Sequence, residues 1–419
     1  MNNYDAIIVG AGPSGLMASI QAAKSGARVL VIEKNKKPGV KLSITGGGRC
    51  NITNAEFNNK ILLKNFGEAE KFLYSPFSIF SVKETFDFFE KKGLPLITEA
   101  RNRVFPKTQN AEDVLNLLVK EAKKVRVQFK FSTRVKKLKS QDNKITTAIT
   151  DNGEYTAKAF ILATGGLSAP KTGSTGDGFK ILKNLGHSVS DPSPNLVPLQ
   201  TKAKWVHHLA GVTLSFMTAR FQQNGKTFLK KTGKILFTHF GVSGPLIINS
   251  SPVVLDKLKK SPIRISIDCF PDTEFNDLEK RILRNFNQNK NKQTKNALKD
   301  LLPQKLLNVT LSMTAPHFQT KLVNNVTKEE RKKFVHILKD LGFEISGGAG
   351  FEKAIIADGG VTLKEIDTKY MRSKLFNNLF ITGDLLDIRR PSGGYSLQLC
   401  WTTGFVAGKN VQKLLKEYE

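Results

Sequence analysis

Two side chains in this 419-residue sequence have the type and setting for proton transfer, Cys50 and His239. Cys50 follows three glycines and stands between Arg49 and Asn51, where the neighbouring cation is expected to lower the thiol pKa and raise its reactivity. His239 lies in Phe237-Thr-His-Phe-Gly-Val-Ser-Gly-Pro245, a glycine-flanked turn suited to a lid or a substrate-facing position. Each also has a plain structural reading: a small packing residue for Cys50, a ring bonded to its own loop for His239. Cys400 falls among apolar neighbours and reads as core. The three cysteines (Cys50, Cys269, Cys400) have no close spacing, so neither a disulfide framework nor a metal site is expected.

A second chemistry, the holding of phosphates, is written in Gly10-Ala11-Gly12-Pro13-Ser14-Gly15. It follows the apolar run Ala6 to Val9 and precedes a helical stretch, Leu16 to Lys24. The first glycine permits a tight strand-to-helix turn, the second lets backbone N–H groups approach a pyrophosphate, and the third lets helix and strand pack closely. The next apolar run, Ala27 to Ile32, ends in Glu33, a carboxylate placed to accept hydrogen bonds from ribose hydroxyls. This βαβ grammar predicts a dinucleotide-binding unit at the start of the chain.

The remaining elements must position these groups. Lys41 to Asn54 reads as a loop whose glycines Gly46, Gly47 and Gly48 leave backbone donors uncovered, so it can lie flat against a ligand. Helices are expected over Phe77–Lys92 and Ala111–Lys124, strands over Val125–Lys139 and Lys144–Thr150, and a hairpin at Asp151-Asn-Gly153 leading into Glu154–Phe160, together a small β-meander. Ala159-Phe-Ile-Leu-Ala163-Thr164-Gly165-Gly166 is a buried strand ending in a second glycine turn. From about Asp191 to Gly347 expected strands (Leu209–Phe216, Ala219–Gln223, Ile263–Asp268) mix with basic helices (Asp277–Phe286, Lys328–Leu341), which reads as an inserted domain. The cofactor grammar then returns in Asn378-Leu-Phe-Ile-Thr-Gly383-Asp384, and Ser392-Gly393-Gly394-Tyr395-Ser396-Leu397-Gln398 opens a helix whose N–H-rich start suits the electron-rich edge of a ring.

The chain carries 65 basic against 36 acidic residues, a formal net charge of +29. Such an excess attracts polyanions, and nucleic acid is the obvious one, although lysine-rich composition by itself is the competing reading. Asn195 to Leu255 contains Lys202, Lys204, Arg220, Lys226, Lys230, Lys231 and Lys234 and no acid. The apolar stretch Ala6 to Ala23 lacks a preceding basic region and contains three glycines and a proline, so no membrane segment and a cytoplasmic location are expected.

The three glycine turns with Glu33 resemble a glutathione-reductase-type FAD domain. More narrowly, Thr45-Gly-Gly-Gly-Arg-Cys-Asn51, Thr172-Gly-Ser-Thr-Gly-Asp177, Phe237 to Pro245 and Gly393 to Gln398 resemble the YhiN-type bacterial flavoproteins, which include BaiN-like, aminoacetone-oxidase-like and RdsA-type ribosomal RNA dihydrouridine synthase members. The resemblance covers nearly the whole chain. It implies an α/β fold: a glutathione-reductase-type FAD-binding Rossmann domain with a β-meander (1–191 and 348–419), interrupted by an inserted β-barrel plus helical domain (192–347). It also implies that Gly10 to Gly15 hold the FAD pyrophosphate and that Glu33, with Lys34 beside it, meets the adenosine. Lys41, Leu42, Gly47, Gly48, Arg49, Cys50 and Asn51 would lie along the flavin, and Val135 would meet the adenine through its backbone. Ala163 to Gly165 would form the second crossing. Gly383 and Asp384 would sit near the ribityl chain, and Gly393 to Leu397 would aim a helix at the isoalloxazine. Where relatives often have Ser before the glycines, this chain has Thr45, which keeps the hydroxyl.

The activity so implied is an FAD-dependent reduction of a uridine in large-subunit ribosomal RNA, free or in a pre-ribosomal particle, with NADPH or NADH as transient reductant. Hydride would go to one carbon of the uracil 5,6-double bond and a proton from an acid such as Cys50 to the other, after the base leaves its stack. The alternatives are an oxidase or reductase of a small amine or steroid-like substrate, and an RNA-binding protein whose FAD turns nothing over.

Overall fold

The computed structural model describes residues 3–24 and 26–417. The chain divides into two compact units, one formed by the described residues up to Asn195 together with those from Ala354 onward, the other by Leu196–Lys353. These limits fall a few residues past Pro192-Ser-Pro194 and Ser346-Gly-Gly348, because Val189–Asn195 pairs antiparallel with Ile356–Val361 and keeps both segments in the first unit.

In chain order the first unit is built on β1 (Asn3–Val9), α1 (Pro13–Ala23), β2 (Val29–Ile32), α2 (Ala111–Lys124), β3 (Gln128–Lys130), β4 (Val135–Gln141), β5 (Lys144–Thr150), β6 (Gly153–Leu162), β7 (Leu379–Ile381) and α3 (Tyr395–Lys416). Strands β7, β6, β1, β2 and β3 lie side by side in parallel, with Ile7 opposite both Leu30 and Phe160. Their apolar runs do not alternate because both faces are covered, and Ile7, Ile8, Val29, Val31 and Ile161 have no exposed surface. Proline at the first position of α1 loses no hydrogen bond there and presets the helical φ. Helix α3 lies against α1 at contact distance: a Cβ on Gly404 or Gly408 would stand 2.3 Å from the carbonyl oxygen of Ser14 or Ala18.

Four expectations are corrected in detail. Glu154–Phe160 and Ala159–Gly166 are one strand, β6, whose first residues close the meander against β5 and whose remainder pairs with β1. Val125–Lys139 divides at Ser132, which adopts a left-handed φ of 51°, so its halves join different parts of the sheet. Phe77–Lys92 is two helices, Glu70–Ile79 and Val82–Glu90. Ser81 and Glu84 form a reciprocal capping box that starts the second helix and ends the continuity of the first. Leu209–Phe216 and Ala219–Gln223 belong mainly to one strand, Thr213–Gln223, with a bulge between Leu214 and Met217.

The second unit is a small barrel with helices. Thr213–Gln223 pairs with Lys226–Thr238 and with Ile263–Asp268, which pairs with Leu341–Ile345. The chain runs on from Ile345 into Gly347 and Gly348, which pair with Gln200 and Leu199, and those residues pair in turn with Gly241–Ser243 beside Lys226–Thr238. One continuous segment therefore joins both ends of the sheet and closes it, which removes its terminal edges. Phe221, Phe237, Ile265 and Ile267 fill the interior, and helices Phe275–Gln288, Gln304–Thr314 and Lys328–Lys339 bury their own cluster around Leu278, Leu311 and Phe334. No helix among the described residues is long and apolar enough to cross a membrane.

Candidate active site

Three turns from distant parts of the sequence meet over the carboxyl ends of β1, β6 and β7. Ala163 donates its N–H to the Val9 carbonyl at 2.9 Å, which holds the Ala163-Thr164-Gly165 turn beside Gly10. Thr382 Oγ1 donates to Ser14 Oγ at 3.2 Å, and Gly383 N–H donates to Thr403 Oγ1 at 3.0 Å. The Gly383–Asp384 turn is thus pinned between the first turn of α1 and the body of α3.

The glycines divide by what surrounds them. A Cβ on Gly15 would lie 1.9 Å from the Gly10 carbonyl oxygen, and one on Gly10, whose φ is +104°, 2.6 Å from that of Ala163. These two exist for packing and backbone conformation. A Cβ on Gly12 would meet nothing within 4 Å, and its φ of −79° suits any residue. Nothing among the described residues requires glycine there, whereas a phosphate approaching the backbone does. Gly47 and Gly48 are equally open. This open cradle at the start of α1, above a parallel sheet, fits the pyrophosphate of FAD.

Glu33 is buried at the end of β2 and accepts hydrogen bonds from Ala11 N–H and Asn35 N–H, both at 2.8 Å. Thr133 N–H bonds the Glu33 carbonyl at 3.0 Å, which brings the buried Val135 at the start of β4 into the same region. Lys34 turns to Asp177 at 2.8 Å, and Arg134 pairs with the other oxygen of that carboxylate. Burial opposes the charge on Asp177, and these two cations outweigh it, so the carboxyl titrates below its ordinary value.

Around the third turn, Asp384 pairs with Arg390 and lies 3.7 Å from Lys41 Nζ, which donates to Ser168 Oγ at 2.6 Å. Burial again works against the anion, and Arg390 followed by Lys41 holds the carboxyl below its usual range. Arg390 is itself buried. Its Nε donates to Ser396 Oγ at 2.9 Å and its Nη1 to the Ile388 carbonyl at 2.6 Å, so it ties the Asp384 turn to the first residues of α3. Sequence reasoning did not single out Arg390. Its signal was present: an acid on a turn between apolar runs needs a cation, and the pair Arg389-Arg390 stands just before Pro391-Ser392 and the glycine helix start.

The glycine loop is ordered by tertiary contacts. Gly39 N–H reaches the Ala11 carbonyl at 3.0 Å, Leu42 is buried, and Gly46, Gly47 and Gly48 all have positive φ. Asn51 Oδ1 accepts from Val104 N–H at 3.2 Å. Gly394 can only be glycine: its φ is +101° and a Cβ would lie 2.2 Å from the Thr53 carbonyl carbon. Thr53 Oγ1 donates to Gln398 Oε1 at 2.6 Å and Asn54 Nδ2 to the Gly393 carbonyl at 3.2 Å, so this loop and the start of α3 form one surface. Leu397 is buried, and Tyr395, half-buried, meets Phe66 edge-on at 5.8 Å.

The expected activation of Cys50 is corrected. Arg49 turns away to Glu99 and stacks on the Phe105 ring at 3.9 Å. Cys50 has no exposed surface, and burial pushes its thiol up to about 12, against a smaller opposing effect of Thr45. His239, in the second unit, is exposed and meets Phe240 edge-on at 4.9 Å. All three cysteines are free and buried, and no cluster of His, Cys, Asp or Glu able to hold a metal occurs among the described residues. A depression of about 350 Å³ between Phe80, Phe88, Lys92 and Phe405 shares no residue with the glycine turns.

A profile of the family described as HI0933-like protein Rossmann domain matches residues 4–410. The chain is 28% identical to a 3-dehydro-bile acid delta(4,6)-reductase of Clostridium scindens over 96% of its own length and 97% of the relative's. It is also 28% identical to the ribosomal RNA dihydrouridine synthase of Escherichia coli, over 98% of each. Among solved structures, a 3-ketosteroid-delta4-(5alpha)-dehydrogenase from Rhodococcus jostii shares the fold, with a TM-score of 0.54 over 98% of this chain and 97% of that one at 14% identity.

Proposed function

The chain belongs to the HI0933-like family of FAD-dependent oxidoreductases, and from that footing we propose that it uses NADPH or NADH to saturate the 5,6-double bond of a uridine in large-subunit ribosomal RNA. Two relatives matched along their whole length are named for saturating a carbon–carbon double bond, one in a 3-dehydro bile acid, the other in a uridine of ribosomal RNA. Both substrates place that bond in conjugation with a carbonyl, so one reaction type serves both: a hydride equivalent and a proton add across the bond while NAD(P)H becomes NAD(P)+. Sequence identity does not choose between the two substrates.

The observation that favours RNA is the charge. Lys202, Lys204, Lys226, Lys230, Lys231 and Lys234 are exposed on the second unit, and among the described residues none of them forms an ion pair with a carboxylate. A steroid-sized substrate makes no use of such a face, whereas a polyanion that binds it exchanges its own condensed counterions for these lysines.

FAD, when bound, supplies the hydride chemistry. The chain's own groups do the rest. The open backbone at Gly12 receives the pyrophosphate, Glu33 the adenosine ribose, and Asp384, fixed by Arg390 and Lys41, orders the ribityl side. Of the two proton donors considered from sequence, the buried Cys50, its thiol pushed up to about 12, is unsuited to the role, and His239 is the exposed candidate.

The test is conversion of ribosomal RNA lacking dihydrouridine by purified holoenzyme with NADPH or NADH, read by mass spectrometry of nucleosides. Dihydrouridine formation supports the reading, and its absence, with NAD(P)H oxidised on adding a 3-oxo-Δ4,6-steroid, replaces RNA by the small-molecule substrate. The full-length likeness to the bile-acid reductase makes that second arm specific.

A further inference from the structure

One aromatic side chain on the barrel is unexplained by packing. Phe216 is 75% exposed, the most exposed of the large hydrophobic residues described. It adopts a left-handed φ of +60°, uncommon and strained for a bulky residue. It sits in the bulge where Leu214 pairs with Ile235 and Met217 with Gly233, so Ser215 and Phe216 together stand opposite Lys234 alone. A bulge re-aims a side chain out of the regular alternation. Here it presents a ring that the core does not use.

The neighbourhood is cationic. On the partner strand Ile235 points into the barrel interior, so Lys234, Thr232 and Lys230, at alternate positions, share the opposite face. Lys231 and Lys226 are exposed as well, and no Asp or Glu occurs between Asn195 and Leu255. Lys226–Gly233 pairs only with Thr213–Gln223, since the Gly241–Ser243 strand joins from Leu236 onward. Lysines on an open edge discourage strand addition, but that purpose accounts for the charges and leaves the projecting ring without one.

We propose that this hairpin is a docking surface for single-stranded RNA, in which an unpaired base stacks on Phe216 while flanking phosphates lie along Lys230 and Lys234. It deepens the RNA-substrate reading and rests on it. A π-face beside a row of cations matches an unstacked base on its phosphate chain, and the ring finds no partner in a duplex whose bases are already stacked.

The test uses the FAD holoenzyme and a fluorescent uridine-rich single-stranded RNA of about 16 nucleotides, with anisotropy followed between about 50 and 200 mM salt. Phe216→Ala should weaken binding about tenfold with the salt slope unchanged, and Phe216→Trp should restore it. Replacing Lys230 and Lys234 together by Ser should reduce the log–log salt slope by about 1.4. Retention of the FAD spectrum verifies folding. Wild-type affinity in Phe216→Ala overturns the proposal, as does an equal loss toward duplex RNA, or a change from dimer to monomer in sedimentation that assigns the surface to a second copy. Dihydrouridine formation is measured separately. Binding through Phe216 without turnover leaves the docking surface standing and sinks the reaction, while turnover with a KM indifferent to Phe216→Ala does the reverse.

Discussion

Gly12 and Gly15 are the same residue type in one motif, and the structure predicts opposite consequences for replacing them by alanine. At Gly15 the new methyl would stand 1.9 Å from the Gly10 carbonyl oxygen and 3.3 Å from Ala163 Cβ. Both neighbours are fixed, the first by the turn and the second by its own bond to Val9. The helix must move, and overpacking of this kind costs about 1–3 kcal/mol or more. For a unit of this size each kcal/mol lowers Tm by roughly 2–4 °C, so the apoprotein should melt several degrees earlier. At Gly12 the methyl meets no protein atom within 4 Å and the backbone is already in a region open to alanine. Apoprotein stability should therefore stay within about 0.5 kcal/mol of wild type. The methyl instead occupies the space of the incoming phosphate and disturbs a charge-assisted hydrogen bond worth about 1.5–3 kcal/mol, a loss of roughly tenfold to more than a hundredfold in FAD affinity. Differential scanning fluorimetry of both apoproteins and titration with FAD followed by flavin fluorescence separate the two effects. If Gly12→Ala destabilises the apoprotein as much as Gly15→Ala does, or binds FAD like wild type, the assignment of that open space to the pyrophosphate is wrong.

Arg390→Ala leaves the largely buried Asp384 with only the more distant Lys41, and should cost about 3 kcal/mol in urea unfolding together with loss of FAD on gel filtration. Glu365 links the C-terminal segment to His187, 2.7 Å from its Nδ1; burial acts to raise its pKa, and hydrogen bonds from Ser188 and His187 outweigh this and lower it. Because the folded value is depressed, the stabilisation is complete above the ordinary value of 4.5 and is lost as pH falls through the folded one. Glu365→Gln should accordingly lower stability at pH 7 and converge with wild type in acid, and a gap independent of pH would contradict the sign. Cys50→Ser should keep bound FAD and turn over within about twofold of wild type, and a steady-state loss of about 10²-fold or more, typical of a removed general acid, would return the thiol to the reaction.

Ser373, His187 and Glu365 have the distances of a nucleophilic relay: Ser373 Oγ lies 2.9 Å from His187 Nε2, and His187 Nδ1 lies 2.7 Å from Glu365. Burial and bonding exclude that role. Ser373 and His187 are buried, and the serine oxygen accepts the N–H groups of Leu375 and Phe376 at 3.0 and 3.1 Å. That hydroxyl anchors a turn, and no reactant reaches it.

What could be read in advance follows the range of the forces involved. The fingerprint at Gly10 to Gly15 was legible because each glycine answers a requirement within the βαβ unit itself. The Ala111–Lys124 helix and the Ile263–Asp268 strand were legible because their periodicity is local and their ends carry caps or turns. The division of Val125–Lys139 was not legible, since nothing in the residue type of Ser132 announces its left-handed φ, and the two halves then find different partners in the sheet. Cys50 shows the same limit at a side chain. Adjacency to Arg49 suggested a cation beside the thiol, yet the guanidinium is claimed by Glu99 and Phe105, some fifty residues further along the chain.

The same distinction separates two uses of positive charge. Around the glycine turns each of these cations faces a carboxylate: Lys34 and Arg134 share Asp177, Lys41 and Arg390 share Asp384, and Arg49 meets Glu99. Paired and partly buried charges set local geometry, feel little of the surrounding salt, and add almost nothing to the field at a distance. Most of the formal excess of +29 therefore resides elsewhere, and exposed lysines without a carboxylate partner, such as those on the barrel hairpin, are where a long-range field originates. A protein needing cations only to hold its cofactor would have no use for the second set. Its presence on a unit separate from the glycine turns is what makes a polyanionic substrate the more economical reading of the charge.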